Sequence, residues 1–181
     1  DVRDPQLGTG GNWPFWSRGP LAVNEDNGKL VLRVPAPEFP TAEGQIAATI
    51  AYNSLDTVGQ ALGTGWTVGP QIDVPLRLVN HIVTDGQDLI ERIDPDGRAV
   101  FYQHVAGSLV YLPPNDSFSQ LSVSPDGQTY TLIDDDASVY TFVKAADYAT
   151  SGKLELGHSQ SYSSNANAGR IEYGYTAGKL T

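Results

Sequence analysis

Cysteine is absent from the chain. Disulfides, thiolate metal sites and cysteine nucleophiles are therefore excluded, while the compartment stays open. Methionine is absent too, so Asp1 is not a natural translation start, and the sequence reads as a mature product or an excised fragment. Positive charge is scarce: 11 Lys and Arg stand against 21 Asp and Glu, a formal net charge of −10. Nucleic acid or an anionic membrane would need a Lys/Arg-rich surface, and neither is expected as a main partner. No apolar run approaches the roughly 18 residues of a membrane-crossing helix, so no membrane span is expected. The three histidines, His81, His104 and His158, share no metal-ligand spacing. Serine-hydrolase elbows, zinc-protease helices and phosphate-binding Gly-rich loops with Lys-Ser/Thr are all missing. No catalytic, cofactor-binding or metal-binding residue is assigned, and no enzyme activity is expected.

What is present points to strands. Hydrophobic residues make up 40% of the 181, enough to bury a core and to argue against wholesale disorder. Residues 1–20 form an irregular lead-in, broken by Gly8, Gly10, Gly11, Pro14, Gly19 and Pro20, yet carrying Trp13, Phe15 and Trp16. Asn27-Gly28, between Leu21-Ala22-Val23 and Leu30 to Val34, is a hairpin signal, because Asn-Gly accepts positive φ. Gln45 to Tyr52 reads as one strand with Ile46, Ala48, Ile50 and Tyr52 on one face.

The middle then repeats a theme of short β-rich run, turn, short β-rich run. Asp85-Gly86, Asp96-Gly97, Asp126-Gly127 and Asp134-Asp135-Asp136 supply the turns. The expected fold class is all-β: an antiparallel meander, a sandwich or a barrel-like curl of short strands. A single helical turn is expected around Lys144 to Tyr148. Three regions follow: the lead-in 1–20, a β-rich domain 21–158, and 159–181, a polar loop followed by a strand bearing Ile171, Tyr173 and Tyr175.

Several stretches together resemble the start of an RHS/YD-repeat protein. Asn27-Gly28-Lys29-Leu30-Val31-Leu32 is similar to the family's TGNLVL opening. Tyr52-Asn53-Ser54-Leu55-Asp56 with Leu62-Gly63-Thr64-Gly65-Trp66 resembles its YNS and LGxGW pair. Asp96-Gly97-Arg98 with Val100 and Phe101 resembles a DGRxVxF hairpin, and Tyr130-Thr131-Leu132 with Tyr140-Thr141-Phe142 resembles a YTL and YTF pair. Gly169 to Tyr175 with Gly178-Lys179-Leu180-Thr181 looks like one repeat unit, although Thr176 stands where the name-giving Asp is usual.

The resemblance implies a large bacterial secreted or cell-surface protein whose repeats spiral into a hollow β-shell, often around a C-terminal toxin. This chain would be a non-catalytic module that begins or plugs that shell. Downstream YD repeats of the same polypeptide would be its partner. The family has no catalytic residues in this region to carry over.

The residues also leave rivals. Asn53, Ser54 and Asp56 can fix a turn through their side chains, with Gly63 and Gly65 supplying positive φ and Trp66 packing beside them. Trp13, Phe15, Trp16 and Trp66 could instead build a platform for a cell-surface glycan, making the chain a carbohydrate-binding β-sandwich; inward packing is the expectation. Asp94 with Asp96, and Asp134 to Asp136, could ligate calcium, but hairpin turns are the plainer reading. Asn115-Asp116-Ser117 is a formal glycosylation sequon.

Overall fold

The computed structural model describes residues 15–25, 28–41, 44–46, 48–55, 59–60, 62–69, 74–95, 98–115, 117–160, 169–176 and 179–180. Among the described residues strands dominate and helix is confined to two single turns, so the all-β expectation holds. The chain divides into two compact units, 1–76 with 93–99, and 77–92 with 100–181.

The first unit contains β1 (Phe15–Arg18), β2 (Leu21–Asn24), β3 (Leu30–Pro35), β4 (Phe39–Thr41), β5 (Gly44–Ile46), β6 (Thr49–Asn53), β7 (Gly59–Gln60), β8 (Gly63–Thr64) and β9 (Trp66–Gly69). Five of these form an antiparallel sheet in the order β1-β2-β3-β6-β9, while β4-β5 and β7-β8 are small hairpins. The expected hairpin is present as β2 and β3, with Leu21 opposite Leu32 and Val23 opposite Leu30. Gly28 takes a φ of 70°; Asn27 lies outside the described residues.

The single strand expected over Gln45 to Tyr52 is corrected. Its start belongs to β5, paired with β4, and its end to β6, paired with β3 and β9. The buried side of β6 is also the less apolar one: Thr49, Ala51 and Asn53 are buried, while Ile50 and Tyr52 are only partly so. Pairing decides this, because Val31 sits opposite Asn53 and Arg33 opposite Ala51, so those positions share one face of the sheet. Residues 93–99 belong to the same unit: Leu76 N–H donates to the Ile93 carbonyl at 2.8 Å, and the Thr67 hydroxyl donates to the Pro95 carbonyl.

The second unit is a meander of β10 (Arg77–Asn80), α1 (His81–Thr84), β11 (Leu89–Ile93), β12 (Ala99–His104), β13 (Val110–Leu112), β14 (Gln120–Val123), β15 (Thr129–Ile133), β16 (Val139–Lys144), α2 (Tyr148–Ser151), β17 (Lys153–Gln160) and β18 (Arg170–Glu172). A hairpin of β19 (Tyr175–Thr176) and β20 (Lys179–Leu180) follows. Consecutive strands from β10 to β17 are neighbours, and β10 pairs with β17, which closes an eight-stranded barrel. An eight-stranded barrel is just wide enough for side chains to fill its interior. Leu78, Leu121, Leu132, Phe142, Leu154 and Leu156 do so at 0–1% exposure. Each such side chain contributes about 1.5–3 kcal/mol by leaving water.

The closing seam is short. Arg77 faces Glu155, Leu78 faces Leu154 and Val79 faces Lys153. Asn80 N–H donates to the Gly152 carbonyl at 2.8 Å. The Asn80 amide donates to the hydroxyls of Tyr130 and Tyr148 at 3.2 and 3.0 Å, and its oxygen caps α1 by accepting from Ile82 N–H.

Three sequence expectations change here. Asp85-Gly86 ends α1 rather than joining two strands directly: both N–H groups donate to the His81 carbonyl at 2.9 Å. Such a single helical turn has no apolar period long enough to read. The helical turn expected near Lys144 to Tyr148 forms at Tyr148–Ser151. Ser159 and Gln160, expected in a polar loop, belong to β17; residues 161–168 lie outside the described residues. Asp96-Gly97 lies outside the described residues.

The strand expected to bear Ile171, Tyr173 and Tyr175 is divided: Ile171 lies in β18, Tyr173 follows it, and Tyr175 lies in β19. β18 pairs with β17, Ile171 opposite Ser159. β17 thus divides one edge between two neighbours: residues 153–155 bind β10 and 158–160 bind β18. A bulge lies between these segments, where Thr141 faces His158 and Phe142 faces Leu156, skipping Gly157. The extra residue bends the strand, so its second half leaves the seam and carries β18.

Candidate functional site

Each histidine has its own partners, and the structure brings none of them together as a shared site. His81, at the start of α1, is 5% exposed. Its Nδ1 lies 2.8 Å from Asp85 Oδ2 and its Nε2 3.1 Å from Glu91 Oε2. The ring stands edge-on to Phe101 at 6.1 Å. The hydrogen bond to His81 lowers the Asp85 pKa. The other Glu91 oxygen has no protein hydrogen-bond partner.

His104 donates through Nδ1 to Asp88 at 2.8 Å and through Nε2 to the Ser108 carbonyl at 3.0 Å. Two acceptors favour the imidazolium, and the Asp88 bond raises the pKa above the ordinary value. His158 lies 3.0 Å from the Thr141 hydroxyl through Nε2, while Arg170 approaches Nδ1 at 3.4 Å. Arg is only a donor, so Nδ1 accepts and the proton sits on Nε2. In that arrangement His158 donates toward the Thr141 hydroxyl. Burial and then the Arg170 charge lower its pKa.

The Asp134 to Asp136 cluster is occupied by the chain itself. Asp134 pairs with Arg92 at 3.0 Å. Asp135 Oδ1 accepts from Phe118 N–H at 3.0 Å, and Asp136 accepts from the Ser138 N–H and hydroxyl at 2.8 and 2.9 Å. Asp94 is buried in the first unit, its N–H bonded to the Arg98 carbonyl. Among the described residues no group of three or more His, Asp or Glu side chains is arranged to hold a metal ion. Two buried tyrosines of the barrel strands are also perturbed or engaged by neighbours. Tyr102 bonds Ser119 at 2.8 Å, and burial pushes the Tyr140 pKa up to about 12, helped by Asp136 and Asp134.

The turn motif ties β3, β6 and β9 together. The Ser54 hydroxyl accepts from Leu30 N–H at 2.9 Å, Asn53 Oδ1 accepts from Leu55 N–H at 3.0 Å, and Asn53 N–H donates to the Gly65 carbonyl at 2.8 Å. Gly63 and Gly65 take φ of 110° and 79°, which is where glycine is needed. Trp66 packs on Tyr52 with ring centroids 5.2 Å apart. Asp56 lies outside the described residues.

The aromatic expectation is corrected in part. Trp16 does not pack inward: it is 49% exposed on β1. It lies in the edge strand β1, whereas Trp66 lies in β9 at the opposite edge. Tyr52 and Trp66 are tilted 47° to each other, so they form no flat platform for a sugar. Trp13 and the Phe15 side chain lie outside what is described.

Register instead reveals an apolar sheet face that the sequence reading missed. Trp16, Val23 and Leu30 form one cross-strand row; Leu21, Leu32, Tyr52 and Trp66 form a second, flanked by Arg18. Val34, Ile50 and Val68 form the third. All ten are at least partly exposed, Trp16 at 49% and Val34 at 40%. Alternation in each strand was the available signal, but it does not say which side faces out.

No protein-family model matches the chain, and no curated protein matches it.

Proposed function

We propose that the chain is a non-catalytic structural module that begins or plugs the β-shell of a larger secreted or cell-surface protein of the RHS/YD-repeat type. The observation that supports this best is the divided edge of β17. One strand closes a barrel with β10 and also carries β18 outward, and β18 stands last in its sheet order among the described residues. A strand at that position offers unpaired N–H and C=O groups to further chain. The chemistry of the histidines fits a structural role: each ring is held by neighbouring side chains or carbonyls.

The test is amide hydrogen exchange on this chain and on one extended by the polypeptide that follows it in the reading frame. Slower exchange at Arg170 to Glu172 in the longer protein is expected, because an added repeat supplies the missing edge. Equal protection in both, or a reading frame without further repeats, would overturn the proposal.

One observation favours a second reading, a glycan-binding module: the exposure of Trp16. Specific glycan binding lost in Trp16→Ala with the fold intact would promote it.

A further inference from the structure

The His81 ring lies between two carboxylates, Asp85 Oδ2 at 2.8 Å from Nδ1 and Glu91 Oε2 at 3.1 Å from Nε2. A neutral imidazole has one N–H and one bare nitrogen. With both acids ionised, the bare nitrogen would meet a carboxylate oxygen, lone pair against lone pair. Both contacts nevertheless stand at hydrogen-bond distance. His81 and Glu91 are 5% and 3% exposed. Glu91 has no hydrogen-bond partner but His81 among the described residues, its other oxygen being buried and unbonded. A buried carboxylate without any donor is too costly to keep. The array therefore holds one proton more than a neutral histidine beside two carboxylates, either on the second ring nitrogen or on one acid. We propose that the proton shared by His81, Asp85 and Glu91 is a latch, which holds α1 against β11 and whose loss as pH rises releases α1 from the barrel.

Neighbouring charges supply no substitute for this proton. Among the described residues neither Asp85 nor Glu91 pairs with Lys or Arg. Phe101 of β12 presents only an aromatic ring to His81. Lys153 of β17, opposite Val79 of β10, pairs with Glu155 at 3.0 Å. Tyr148 of α2 gives its hydroxyl to Asn80 and lies 4.7 Å from the Lys144 ammonium. Asp88 pairs with His104 at 2.8 Å. The proton acts beyond α1 because Asn80, the residue before His81, joins α1 to the barrel seam. Its side-chain oxygen caps α1, its amide bonds Tyr130 and Tyr148, and its N–H bonds the Gly152 carbonyl. Because α1 docks with the proton in place, docking weakens as pH rises and the proton leaves. Acid works from the other side. The His81 bond lowers the Asp85 pKa, so the share of Asp85 is lost as pH falls through its folded value. The latch is firmest between these limits, and it stands or falls separately from the structural-module reading.

Glu91→Gln tests this, because a glutamine amide puts a permanent donor where the proton was. Its N–H bonds Nε2 of a neutral ring, whose Nδ1–H then serves Asp85. Amide hydrogen exchange of the full chain is followed in both proteins from about pH 6 to about pH 9, corrected for the intrinsic rate. Asp85 and Gly86, whose N–H groups close α1 on the His81 carbonyl, report the latch, and Leu132 in β15 reports the barrel. In the native protein, protection at Asp85 and Gly86 relative to Leu132 should fall about tenfold per pH unit once the proton leaves, as one linked proton requires. In Glu91→Gln the ratio should stay constant. A constant ratio in the native protein, or an equal fall in both, would overturn the proposal. NMR of the His81 ring nitrogens in the native protein gives a second measurement that needs no variant. Their shifts should change over the same pH range as the protection. A ring that keeps one form throughout that range would also overturn the proposal.

Discussion

Gly152 shows how much one residue can decide. It caps α2 at a φ of 64°, in the left-handed region. A Cβ at this position would overlap the Asn80 carbonyl oxygen, which belongs to the barrel seam. Gly152→Ala therefore combines backbone strain with a backbone clash. It should cost about 2–4 kcal/mol, measured as a lower urea midpoint with the slope unchanged.

Two histidines should titrate in opposite senses. His104 has its pKa raised by Asp88. Folding holds its proton more tightly, so its contribution is complete below the ordinary value of 6.5 and is lost as pH rises through the folded value. His158 has its pKa lowered by burial and Arg170. Its contribution is complete above 6.5 and is lost as pH falls through the folded value. NMR titration of the ring protons should place His104 above and His158 below that value, and Asp88→Asn should bring His104 down. Equal midpoints for the two rings would contradict the hydrogen-bond assignments.

At the scale of the element, the β15–β16 turn carries its own flaw. Ala137 sits at φ 63°, a conformation costly for a residue with a Cβ. Ala137→Gly should raise stability by about 0.5–1 kcal/mol, read as a rise of a few degrees in Tm. A fall in Tm would mean that the added freedom of the unfolded chain outweighs the relieved strain.

β18 is held by three residue pairs with β17 and by the Tyr173 hydroxyl, 2.8 Å from the Ser159 hydroxyl. Tyr173→Phe should cost about 1 kcal/mol and speed amide exchange at Ile171 more than at Leu132, which lies between β14 and β16. Uniform acceleration would show that β18 and the barrel open together.

For the whole molecule, charge governs behaviour in solution. With 21 acids against 11 bases and a pI near 4.5, solubility should be lowest near that pH. At neutral pH the protein should pass a polyanion column without retention. Retention at moderate salt would expose a basic patch that net charge conceals.

How much of this was legible in the sequence follows from which interactions are local. Period-two runs such as Tyr130 to Leu132 and Tyr140 to Phe142, and turn residues such as Asp126-Gly127, mark strands and hairpins. Their geometry depends on neighbours within a few residues, and both strand pairs stand in the structure. The Asn53-Ser54 turn was equally readable, because its bonds satisfy groups that any tight turn leaves open. The barrel closure was not readable. It rests on Arg77 to Val79 meeting Lys153 to Glu155, a pairing of distant segments that no local pattern encodes. The same holds for the first sheet. Alternation gave each strand two faces, but only the tertiary packing buried Asn53 and Thr67 and left Trp16 and Val34 outside. Side-chain direction flips with a one-residue change of register, and register is set by partners far away in the chain.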